Sequence, residues 1–143
     1  MADMTLKDIA EKMKGIDIAI LSTHSADGEI AARPMSNNGD VEYDGDSYFF
    51  TMEDAHCVSD IQRNAKVGLG YSIEGGIFSD GVYVAVEGEA QLIRDKAAFR
   101  QHWVSDLDEW FEQGIDTPGI VLIKVHAHRI KCWNGYESTE VRM

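Results

Sequence analysis

The segment Ala32-Arg33-Pro34-Met35-Ser36 sets a permanent cation beside a residue that has no amide hydrogen. A guanidinium is a planar donor suited to a phosphate or to a ring rich in carbonyls. A proline closing a strand removes one ladder donor and leaves the local backbone facing outward, toward a ligand. His56 and Cys57 are adjacent, too close in sequence to form a nucleophile–base pair by themselves, and Cys57 reads as a small buried thiol. His126 and His128 flank Ala127, so a strand would turn both imidazoles to one face. With no third ligand at a telling spacing, they read as solvated side chains and no metal site is expected. Gly68 and Gly70 lie inside an apolar run and match no dinucleotide fingerprint, which makes packing relief their expected role. His24 and His102 carry no usable pattern.

The elements that must hold these residues follow from periodicity and turn chemistry. Leu6, Ile9, Ala10 and Met13 form one helical stripe, with Thr5 as cap, Asp8 completing a capping box and Gly15 as the stop. Residues 16–24 and 30–36 read as a hairpin around Ala26-Asp27-Gly28-Glu29. Turns at Asn37-Asn38-Gly39-Asp40 and Tyr43-Asp44-Gly45-Asp46 lead to a strand over 47–52. A short helix is expected over 54–63, then strands over 67–73 and 82–93 joined across Gly75-Gly76. Asp95 should cap a helix carrying Phe99 and Trp103. Ser105 should cap another that packs Leu107, Trp110 and Phe111 into core or dimer interface before Gly114. Residues 120–133 read as a final long strand.

The sum is five to seven strands with short helices at the edges. Strands and helices do not alternate regularly and no phosphate loop is present, which excludes a Rossmann domain. The expected class is mainly β (α+β), a compact antiparallel barrel of one domain spanning 1–143. No repeat or linker breaks the 143 residues. A net charge of −12 disfavours nucleic acid and anionic lipid as partners. Residues 1–15 mix Asp, Lys and Glu, unlike a secretory signal, and no apolar run is long enough to cross a bilayer. The expected location is the cytoplasm, where Cys57 and Cys132 would stay reduced.

The order of segments adds to this. Arg33-Pro34-Met35 is followed by Tyr48-Phe49-Phe50-Thr51, then by Ile61-Gln62-Arg63-Asn64, Val84-Ala85-Val86-Glu87-Gly88-Glu89-Ala90, Trp103, Trp110-Phe111 and a strand ending at Trp133. From about Leu6 to Gly135 the chain resembles the pyridoxamine 5'-phosphate oxidase-like flavoproteins, within them the general stress protein branch. The resemblance implies a split β-barrel and a homodimer with two FMN sites, each built by both subunits. It implies that the strand from Arg33 through Pro34, Met35 and Ser36 to Asn38 runs along the flavin, with its backbone bonding the ring. Phe50 and Thr51 would lie by the ribityl-phosphate tail, Tyr83 near the ring, and Trp133 against it from the neighbouring subunit.

In that family a Ser-Arg-Lys-like cluster at the start of the short helix grips the phosphate. Here the matching positions are Ala55, His56 and Cys57, so two permanent cations are absent. Charge-assisted bonds contribute roughly 1.5–3 kcal/mol each, so the loss of two would weaken FMN by about two or more orders of magnitude. The helix amides, His56, Arg33 or Arg63 would have to compensate. The first expectation is therefore an FMN-dependent oxidoreductase or flavin reductase-like protein, with FAD possible and no side chain that stands out as an acid or base. The alternative is a non-catalytic split-barrel dimer that has lost flavin or holds haem, a deazaflavin or FAD. True pyridoxamine phosphate oxidation fits less well, because the tail after Trp133 carries only Arg142 as a base.

Overall fold

The computed structural model describes residues 4–37, 42–74, 81–135 and 137–143. Helix α1 (Leu6–Met13) opens the chain, and its capping box is complete: Asp8 N–H donates to the Thr5 hydroxyl, and Thr5 N–H to the Asp8 carboxylate. Gly15 takes a φ of 84°, which lets the chain leave the helix at once. Strands β1 (Ile18–His24) and β2 (Ile30–Ser36) form the expected hairpin, turned by Gly28 at a φ of 84°. After β3 (Asp46–Met52) and helix α2 (His56–Arg63) come β4 (Lys66–Ile73) and β5 (Val82–Ile93). Helix α3 (Lys96–His102) precedes the long β6 (Ile120–Asn134), and β7 (Glu137–Arg142) closes the chain.

All pairings are antiparallel, in the order β2-β1-β4-β5-β6-β3, with β7 added alongside β6. The two ends of the sheet, β2 and β3, approach each other, so the sheet curls into a barrel that remains open along one seam. Leu21, Phe49, Val86, Ile123 and Ile130 fill it, and α1 and α2 plug it with Ile9, Ala10, Val58 and Ile61. A smaller cluster outside the barrel wall gathers Phe99, Ile120 and Leu122 with Phe50, Trp103 and Phe111.

At Gly88 a β-carbon would lie 2.2 Å from the His126 carbonyl oxygen, so only glycine lets β5 pass β6 where the register shifts.

Four expectations change. Residues expected only as a tail form strand β7, paired with β6. Residues Ser105–Glu109 form a 3-10 helix with Val104, not Ser105, in the capping position. Trp110 does not pack with Leu107 and Phe111; it stands 73% exposed, because the tighter 3-10 turn rotates it off their face. Gly68 and Gly70 relieve no tight contact either, since a β-carbon there would meet nothing closer than 3.6 Å. The Gly75-Gly76 connection and the turn at 38–40 lie outside the described residues.

Candidate functional site at the barrel seam

Strand β2 is an edge strand, and among the described residues it pairs only with β1. Ser25 and Asn37, which continue the hairpin register at either end, donate their amides to Glu29 and Asp17 across the ladder. The alternation of an antiparallel pair then turns the amides of Arg33 and Met35 toward β1. The backbone groups of Ala32, Pro34 and Ser36 face the open seam, and Pro34, which has no N–H, sits where none is needed. The side chains alternate as well: Arg33 and Met35 turn inward, while Ala32, Pro34 and Ser36 are exposed on the outer face.

Met35 joins the barrel core. Arg33 enters a polar network beneath α2. Its Nη1 donates to the Thr23 hydroxyl at 2.8 Å and to the Leu21 carbonyl at 3.2 Å, and its Nη2 lies 3.6 Å from Asp60 Oδ2. Thr23 in turn donates to Asp60 Oδ2 at 2.8 Å, and Arg63 reaches Asp60 Oδ1 at 2.7 Å. Thr23 and Asp60 are buried, at 1% and 5% exposure. Two guanidinium groups on one carboxylate leave a net single positive charge, and the pair borders a cavity of about 470 Å³. Ala31, His56 and Ser59 line it as well, and the β1–β2 turn forms its outer rim.

The start of α2 adjoins this network. Ala55 holds the capping position and supplies no side-chain acceptor; Val58 N–H donates to the Ala55 carbonyl at 3.0 Å, and the His56 and Cys57 amides gain no side-chain cap from it. Cys57 is buried, and burial pushes its thiol up from the ordinary value. The Arg33 charge, the Cys57 amide and the Thr51 hydroxyl pull the other way, while Asp60 pushes it further up. Thus Arg33, Thr51, His56 and Cys57, far apart in sequence, come together around one end of α2. Phe50 does not join them: it lies on the other face of β3, edge-on to Phe99 and Trp103 at 5.8 and 5.0 Å.

The outer face carries the remaining candidates. The register sets Pro34 beside Ile20, Ile20 beside Gly70, and Gly70 beside Ala85. A parallel row sets Ser36 beside Ile18, and across the sheet Ser72, Tyr83 and Trp133 stand side by side. Ile18, Ile20, Tyr83 and Trp133 are all more than a third exposed, and Lys131 covers the Trp133 ring at 5.1 Å. The glycines and Ala85 leave this wall flat. Asn38 lies outside the described residues.

Sequence reasoning missed Thr23 and Asp60. Their signal is a Thr on the inward phase of β1 and an Asp on the apolar side of α2, which becomes legible only once both elements are docked. His126 and His128 stand at 5.9 Å, and His126 Nδ1 meets Asp46 Oδ1 at 2.7 Å. Among the described residues no group of three His, Cys, Asp or Glu could hold a metal ion. No helix there is long and apolar enough to cross a membrane.

A family model described as pyridoxamine 5'-phosphate oxidase like matches residues 4–142. The chain belongs to this family. Solved structures agree on the fold of this pyridoxamine 5'-phosphate oxidase-like chain. A protein related to general stress protein 26, from Clostridium acetobutylicum, superposes with a TM-score of 0.80 at 16% identity, over 96% of this chain and 94% of that one. General Stress Protein 26 from Bacillus anthracis gives 0.75 at 24% identity, over 98% and 100%. The general stress FMN/FAD binding protein of Xanthomonas citri gives 0.74 at 20% identity, over 96% and 94%. No curated protein matches the chain in sequence.

Proposed function

We propose that this pyridoxamine 5'-phosphate oxidase-like chain is an FMN-binding flavoprotein of the general stress protein type, acting as an oxidoreductase in a homodimer. One observation carries the reading: Arg33, Thr51, His56 and the uncapped start of α2 converge beside an edge strand whose backbone is free to bond a ring. These residues fit a flavin phosphate despite the missing Ser-Arg-Lys cluster. Arg33 supplies a fixed charge, the first-turn amides of α2 supply donors, and the Thr51 hydroxyl adds another. Ala32 and Ser36 offer N–H and carbonyl groups along the seam, and Pro34 a carbonyl, to match the alternating donors and acceptors of a flavin ring.

Bound flavin supplies the hydride or electron transfer; the protein positions it and sheds water from it. The outer wall of Ile18, Ile20, Tyr83 and Trp133 is where a second copy of the chain would dock, covering apolar surface that a lone subunit leaves in water. Trp133 would then stand against the partner's ring. The chain would work in the cytoplasm. FAD is a second reading favoured by the cavity beyond Arg33, which gives an adenylate room past the phosphate.

The test is an absorbance spectrum of the purified protein before and after soaking with FMN and desalting. Retained bands at about 370 and 450 nm, those of an oxidised flavin, are expected, with FMN held at least as tightly as FAD in a parallel titration. A protein that stays colourless overturns the assignment. FAD held more tightly than FMN replaces it with the second reading.

A further inference from the structure

Asp60 is a carboxylate buried under α2 with three partners: the Thr23 hydroxyl, Arg63 and Arg33. Burying a charge is costly unless it is paired and hydrogen-bonded, and a fold seldom retains such a group as decoration. Its geometry has a second effect. Arg33 is held at three points, by the Leu21 carbonyl, the Thr23 hydroxyl and Asp60, so its long side chain has little freedom left. Only about a quarter of that side chain is exposed. A flexible arginine must be ordered at the moment it grips an anion, and that ordering subtracts from affinity; one already fixed by a buried carboxylate avoids the loss. Arg33 is close enough to Cys57, at the start of α2, for its charge to act on the thiol.

We propose that Asp60 is a positioning residue for anion recognition. It locks Arg33, through Thr23 and by direct charge, in the orientation that grips a phosphate monoester at the start of α2. This rests on the flavin reading above and deepens it, assigning to a residue outside the phosphate contact the strength of that contact. Asp60 also offsets one of the two guanidinium charges beside it, so the pair does not attract every anion.

The experiment compares FMN with riboflavin, which lacks the phosphate, on the intact protein and on two variants. Asp60→Asn keeps the shape and removes the charge. Thr23→Val keeps the volume and cuts the hydroxyl bridge from Arg33 to Asp60, leaving only their direct ion pair, so it serves if Asp60→Asn does not fold. In the unaltered protein FMN should bind more tightly than riboflavin. In either variant the preference for FMN should fall about tenfold or more, while riboflavin affinity holds within about twofold. In an Arg33→Gln background Asp60→Asn should have no further effect on that preference, because the two residues act as one unit.

An equal loss of FMN and riboflavin would make Asp60 merely structural and overturn the proposal, leaving the flavin assignment intact. An unchanged preference for FMN in Asp60→Asn would overturn it too, and so would a stronger one, which would show that the carboxylate repels phosphate. An unaltered protein that binds neither flavin removes the cofactor reading itself, and this role for Asp60 with it.

Discussion

The two faces of β2 are built on opposite terms. On the inward face Arg33 and Met35 find every partner within their own chain: a carbonyl, a hydroxyl and a buried carboxylate for one, the barrel core for the other. On the outward face Pro34 and Ser36 belong to a flat wall with Ile18 and Ile20, which the described residues leave exposed. The inward face is finished by folding; the outward one is where the proposed second copy would dock. A strand whose side chains alternate can therefore serve stability with one set of residues and association with the next.

The contrast can be broken from either side. Ile20→Glu places a charge in the centre of the exposed wall, and the largest effect is expected there. Sedimentation should show a change from dimer to monomer, with the folded spectrum retained because Ile20 is 43% exposed and lies outside the buried core. A variant that remains a dimer would put the interface elsewhere. On the inward face Arg33→Gln leaves Asp60 with Thr23 and Arg63 alone. It should cost about 2 kcal/mol in urea unfolding, since removing one partner of a buried pair leaves charge undercompensated. Pro34→Ala, one position on but facing out, should cost less than about 1 kcal/mol.

The smallest effect concerns Cys57. Burial holds its thiol above the ordinary 9.0, so the folded chain keeps it neutral where the unfolded chain ionises. Below that value both states carry the neutral thiol and the contribution is constant. Stability should decline only as pH rises past 9.0. Alkylation of Cys57 at neutral pH should be slow until denaturant opens the barrel, and fast labelling of the native protein would contradict the burial.

Most of the framework was legible because its signals are local. The capping box at Thr5 and Asp8, the Asp27-Gly28 turn and the alternation of β5 each act over a few residues. Strand β2 ends at the expected residues, and the family resemblance was correct. What escaped depends on docking. Strand β7 holds only Val141 and Thr139 against the barrel, too sparse an apolar pattern to announce a strand, and β6 supplies its ladder. Trp110 was read from helical spacing, whereas three residues per turn put it in solvent. The link from Arg33 to Asp60 spans 27 positions, and nothing near either residue declares it. Phe50 and Thr51 are neighbours that a strand must send to opposite faces, so the pair could not serve one spot.

Pro34 has one more consequence. An open strand edge invites other chains to add strands to it, which is how folded proteins begin to aggregate. At the seam of this barrel the middle residue of the exposed edge presents a carbonyl but no hydrogen to donate, and its ring projects where an incoming strand would need to lie flush. A run of backbone ladder bonds cannot propagate past it. The edge refuses another polypeptide, so the barrel stays split without becoming sticky.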